Sequence, residues 1–256
     1  MKRVCLTALS LLLALVLLCA CGGAEESSHP PASDAGTPPP SQGKPSGDTG
    51  SSGGGTANDD ALALGDSFLM GTYEQDGNTE NGKEPIAWTV LAMEEGRMLL
   101  LSEHVLDAMP YHTTAGDVTW ETSSLRAHLG SAFLSAAFSA EDAAKILTVT
   151  LQNPDNGKQG TEGGRDTADK VFLLSAAEAD TYLTAEALRR AKPTAAAIRK
   201  GVWVQETGYA PSWLRSPGGT ADRAMILHEG GAASFGEFAD SITVGVRPAM
   251  WVSYTK

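Results

Sequence analysis

The chain has 256 residues, 42% of them apolar and 20% charged, with a formal net charge of −12 and three cysteines. The apolar share excludes disorder throughout, and the composition excludes collagen-like and disulfide-scaffold classes. The acidic balance argues against nucleic acid as a partner, because phosphate binding needs clustered Lys and Arg.

Met1-Lys2-Arg3 is a short basic start, followed by an almost wholly apolar run from Val4 to Ala20. These are the n-region and h-region of an export signal, so residues 1–20 are expected to be a signal peptide. At seventeen residues the run sits at the lower edge of what crosses a bilayer, which leaves a single-pass anchor as the plain alternative. Leu18-Cys19-Ala20-Cys21 resembles the lipobox of bacterial lipoproteins. That resemblance implies a diacylglyceryl group on Cys21 and membrane anchoring through it; Cys19 fits less well because bulky Leu18 precedes it. More than one acyl chain is enough for stable anchoring. Cys5 and Cys19 would leave with the signal and no cysteine follows Cys21, so a folded domain beyond it has no disulfide and no thiolate chemistry.

Residues 21–60 form the lipidated cysteine and a tether. Gly22–Asp60 holds nine Gly, six Pro and seven Ser in 39 residues, too little apolar content for a packed element. As a flexible coil it would reach roughly 35 Å root-mean-square. Residues 61–256 are one domain, large enough to bury about 70% of the surface of its unfolded chain.

Short alternating runs predict strands at Ser67–Glu74, Ile86–Glu94, Arg97–Ser102, Lys170–Leu174, Val202–Gln205, Arg223–His228 and Ile242–Trp251, each bounded by Gly, Asn, Asp or Pro. Helices are few and central. Leu125, Leu129 and Phe133 repeat at i, i+4, i+8 and predict a helix from about Ser123 to Phe138. Ser139-Ala-Glu-Asp142 and Ser175-Ala-Ala-Glu178 read as capping boxes opening two more, and Ala185–Ala191 a fourth that stops before Pro193. Antiparallel strands at both ends with short helices between them predict a single compact α+β domain.

Six segments occur in order: Gly71–Asp76, Glu84–Trp88, Asp117–Glu121, Asp169–Ser175, Trp213–Gly218 and Gly245–Ala249. Together they resemble an exported bacterial family carried as domain of unknown function 6273, over essentially all of Leu64–Tyr254. The closing Trp-Leu-Arg-Ser and Val-Arg-Pro strands also resemble the end of C-type-lectin-like folds, which include the sulfatase-modifying factors. That likeness implies a compact lectin-like domain with long loops on one side, and carries no activity by itself. Formylglycine-generating members work through cysteines, which this domain lacks. Glu84-Pro-Ile86 is the nearest approach to a lectin calcium tripeptide, without its third ligand.

Gly65-Asp66-Ser67-Phe68 looks like the nucleophile block of Gly-Asp-Ser esterases, but no Asp-x-x-His follows to activate the serine, so it reads as a turn. His104, His112, His128 and His228 form no zinc spacing; His128 reads as a boundary residue and His228 as a strand end. Asp76–Glu80 and Asn153–Asp169 are rich in oxygen ligands, with Asp155, Asp166 and Asp169 the weak calcium candidates. The same residue types also make turns. Trp203, Tyr209 and Trp213, with Arg215 beyond, are the candidate ligand-binding set, since flat aromatic faces stack on sugars or peptides. Arg215 and Arg247 read equally as ion-pair partners holding strands in register.

The expected function is a non-catalytic recognition module for a saccharide, peptidoglycan fragment or surface protein, with no nucleic-acid partner and no cofactor beyond a possible calcium ion. An envelope hydrolase or transferase using carboxylates such as Glu121 or Asp166 is the alternative, and a structural envelope protein a third.

Overall fold

A computed structural model describes residues 62–255, all within one unit spanning Thr56–Lys256. The signal, Cys21 and tether readings lie outside the described residues. The chain starts with three strands, β1 (Ser67–Tyr73), β2 (Glu84–Glu94) and β3 (Arg97–Ser102). The turn Glu95-Gly96 joins β2 to β3 with Gly96 at φ 75°, the positive φ that tight hairpin turns demand. A bridge-length strand β4 (Asp107–Ala108) follows. The predicted helix over 123–138 is present as α1 (Ser124–His128), a π-helical turn at Leu129–Phe133 and α2 (Leu134–Ala137). Leu125, Leu129 and Phe133 are all buried, as their spacing required. Next come α3 (Ala140–Lys145), β5 (Val149–Leu151), β6 (Thr167–Asp169), β7 (Val171–Phe172) and α4 (Ala176–Tyr182). Ser175 and Glu178 make the reciprocal capping box at the start of α4. The short helices α5 (Glu186–Arg189) and α6 (Ala195–Arg199) precede β8 (Ser212–Pro217), β9 (Arg223–Leu227), β10 (Ala233–Phe238), β11 (Gly245–Val246) and β12 (Ala249–Ser253).

The architecture is α+β. One sheet has the order β1-β2-β3-β12-β7, another β10-β9-β8-β11-β4, and β5 pairs with β6 apart from both. Leu99 and Met250 of the first sheet and Trp213 and Val246 of the second belong to one core cluster, which also takes in the stripe of α1. β3 and β12 are buried along nearly their whole length, on both faces. A bulge in β1 lets Gly71, at φ 70°, approach α2: a Cβ there would stand 2.6 Å from the Ala137 carbonyl oxygen.

Two predicted strands are corrected. Val202–Gln205 is irregular, because its amides serve three different places: Val202 closes the end of α6 on Ala197, Trp203 donates to Thr243, and Gln205 turns onto Tyr209. Ile242–Trp251 is broken at Arg247-Pro248, where Pro248 has no N–H for a ladder and the chain leaves the second sheet for the first. Ile242 is therefore 61% exposed while Val244 and Val246 are buried. Gly65–Ser67 is a turn into β1, with Asp66 accepting from the Ala63 amide.

Candidate functional site

The motif residues turn inward. Trp213 is 1% exposed and its indole N–H donates to the Met109 carbonyl at 3.0 Å, so it has no face to offer a ligand. Arg215 is also buried; its guanidinium grips the Glu178 carboxylate and the Leu173 carbonyl. Both candidates are corrected to core roles. A strand flanked on both faces buries even its polar side chains, and each then needs an internal partner. Arg247 is buried likewise, donating to the Ser102 and Leu188 carbonyls; desolvation pulls its guanidinium down to about 10. Tyr209 is half-buried, and Arg190 sits over its ring at 4.7 Å. Of the three aromatic candidates only Trp203, 48% exposed, presents an open face.

The calcium candidates each accept hydrogen bonds within the chain. Asp169 accepts from the Trp120 indole at 3.0 Å, the Thr167 hydroxyl at 2.7 Å and the Arg126 guanidinium at 2.7 Å. Asp155 accepts from the Gly163 amide, and Asp166 from the Asn153 amide. Asp155 and Asp166 fasten the loop between β5 and β6, Asp169 ties β6 to Trp120 and Arg126, and among the described residues the three do not come together. Among the described residues the acidic side chains that do converge, within 4.8 Å, are Glu74, Asp76 and Glu84. There Glu84 accepts from the Gln75 and Asp76 amides, and Asn78 and Asn81 donate to Asp76. Glu121, the carboxylate considered for acid–base work, is hydrogen-bonded by Arg165, which holds its pKa below the usual carboxylate range. That is opposite to the elevation a general acid needs. His128 is half-buried with an unpartnered Nε2, and burial lowers its pKa.

What the sequence reading missed is concave. The loop Asn153–Asp166 folds over the start of α4 and the β9–β10 hairpin, leaving a cleft of about 540 Å3 between them. Asn156 builds one wall. Its side-chain amide donates to the Pro217 and Gly218 carbonyls, and its Oδ1 accepts the Lys158 and Gln159 amides. Opposite, Ser216 accepts the Ala176 amide, and Arg189 is tied to Gly231 and Asp180. Apolar lining comes from Ala177, Pro217, Met225 and Ala233, and the Phe235 ring stands at the rim, 56% exposed. Lys158 Nζ lies 5.8 Å from that ring, at the far limit of a cation–π contact, so the ring is not tightly covered. Ala-Ser-Phe-Gly-Glu-Phe shows no clean alternation, which is why β10 and the cleft were not legible as such. Across the loop, Gln159 also lines a second hollow of about 440 Å3 with Thr119, Thr122 and Thr161.

No curated protein and no solved structure matches the chain significantly. The match that does exist starts at the β2–β3 turn and excludes β1 and β2, so the two earliest motif segments fall outside it. Within it lie the Trp120–Asp169 contact, which joins two of the motif segments, and the Arg126–Asp169 and Arg215–Glu178 contacts, each of which ties a motif residue to a helix. Matched over residues 95–254, the chain belongs to the family described as Domain of unknown function (DUF6273).

Proposed function

We propose that this chain is a lipid-anchored bacterial extracytoplasmic protein whose lectin-like domain recognises a saccharide, peptidoglycan sugar chains included, in the cleft beside Phe235. The observation that carries the reading is the exposed Phe235 ring at the mouth of a 540 Å3 cleft with an apolar floor. A flat ring stacks on the C–H face of a pyranose, and rim groups such as Gln159, Ser216 and Asp180 suit its hydroxyls. Binding needs no bond-breaking group; Glu121, one of the carboxylates considered for hydrolysis, is paired with Arg165, and Asp166 accepts the Asn153 amide. Cys21 carries the anchor and residues 22–60 the tether, which holds the domain away from the membrane surface.

The test is a glycan and peptidoglycan-fragment panel read with the purified chain, with calcium and with EDTA. Saturable binding that Phe235→Ala abolishes supports the reading; binding lost in EDTA adds a cation to it. Silence across the panel from a folded protein, or binding indifferent to Phe235→Ala, overturns it. Labelling with a lipid precursor checks the anchor: Cys21→Ala must lose the label.

A further inference from the structure

On the opposite side of the β9–β10 hairpin, a groove of about 290 Å3 is lined by Trp203, Pro211, Ile226 and Val244, with Glu229 and Glu237 at its polar end. Met225 faces the saccharide cleft and Ile226 this groove, so the two lie on different faces of the same strand. We propose that this groove is a second binding site, which takes a lysyl side chain of a partner polypeptide: its ammonium against Trp203 and the two glutamates, its aliphatic stem along the apolar residues.

Three observations carry this. Trp203 is half-exposed, and among the described residues no Lys or Arg of the chain lies over its ring. Several other rings carry one of the chain's own cations: Arg190 over Tyr209 at 4.7 Å, Arg97 over the buried Trp251 at 4.3 Å, and Arg223 over Phe238 at 3.6 Å, while Lys158 stands 5.8 Å from the open Phe235 ring. Indole gives the strongest cation–π face of the three aromatic types, so the open Trp203 ring is better suited to a partner's cation than the open Phe235 ring. Second, no Lys or Arg lines the groove; His228 is the basic side chain in its lining, beside Glu229 and not Glu237, and Thr243 is the other polar one. Glu229 is approached by His228 Nδ1 at 3.5 Å and by Gln205 at 3.4 Å, and Glu237 accepts only its neighbouring Phe238 amide. Third, Pro211, Ile226 and Val244 form an apolar run of the kind on which a lysine stem packs while its head reaches charge. The chain's net charge of −12 adds long-range attraction for a basic partner.

The probe is the blocked tripeptide acetyl-Gly-Lys-Gly-amide, followed through the indole N–H signals of the five tryptophans at pH 7.5. Trp203→Phe identifies the Trp203 signal by its loss. The expected result is a saturable shift of that signal alone, weakened about tenfold when the lysine is Nζ-acetylated and several-fold in Glu237→Gln. The other four indole signals report that each variant is folded. No shift with the lysine peptide, equal binding of the acetylated peptide, or a Glu237→Gln variant that binds as well as the parent overturns the proposal. Failure of the saccharide panel leaves this result untouched, because the two sites share no residue.

Discussion

Glu178→Ala probes the ion pair that joins α4 to β8 through buried Arg215. Arg215 is 4% exposed, and the Glu178 carboxylate receives both its terminal nitrogens. Deleting one partner of a buried pair costs about 3–5 kcal/mol, because the remaining charge is stranded. The Glu178 side chain is 28% exposed, so water reaches part of the vacated space and the lower end, about 3 kcal/mol, applies. The same carboxylate accepts the Ser175 amide at 2.8 Å, and losing this half of the capping box adds about 1 kcal/mol. The expected loss is therefore about 4 kcal/mol, a large share of the 5–15 kcal/mol a domain of this kind has in total. Arg215→Met in the Glu178→Ala background removes the stranded cation and is expected to recover about 2 kcal/mol, since Met fills similar volume without needing a partner. Urea denaturation followed by tryptophan fluorescence measures both, provided the slope stays constant across the variants. A Glu178→Ala loss below about 1 kcal/mol, or no recovery in the double variant, would refute the assignment of Arg215 as a charge held by Glu178.

Other outcomes follow from the same geometry. Gly71→Ala is expected to destabilise the domain by about 2 kcal/mol or more, since the new Cβ meets both the Ala137 carbonyl and the Phe138 ring at a positive φ; the midpoint of urea unfolding reads it. Trp120→Phe strands one acceptor site on buried Asp169 and should cost about 1–3 kcal/mol, whereas a loss within 0.5 kcal/mol, roughly the noise of surface substitutions, would remove that bond from the account. His128 has a folded-state pKa below its ordinary 6.5 because burial disfavours the imidazolium. The unfolded chain therefore takes up the proton first as pH falls below about 6.5, and stability declines there until the folded-state pKa is passed. His128→Gln should flatten this part of the stability–pH curve; an unchanged curve would assign the acid sensitivity elsewhere.

The legible part of the fold is the part set by local pattern. Leu125, Leu129 and Phe133 announced a buried helical stripe, Ser175 and Glu178 a cap, and Arg97–Ser102 a strand to the residue. What the sequence concealed depends on partners far along the chain. Trp213 reads as a binding aromatic until Met109, 104 residues earlier, is seen to accept its N–H. Asp155, Asp166 and Asp169 look like ligands because the amides and the indole that occupy them lie on other segments. The cleft was hidden for the same reason: its walls come from the β5–β6 loop, α4 and a hairpin whose second strand has no alternating pattern.

The last strand has a temporal meaning. β12 is inserted between β3 and β7, pairing Ala249–Ser253 with Leu101–Arg97 and Ala249–Met250 with Phe172–Val171. Without Ala249–Ser253 the β1-β2-β3 meander and β7 have nothing between them, and Leu99, Leu100 and Phe172 lack their covering partners. Closure of the native core therefore waits on the pairing of residues 249–253; loss of that one strand would leave a sheet split in two, with its most apolar edges open to aggregation.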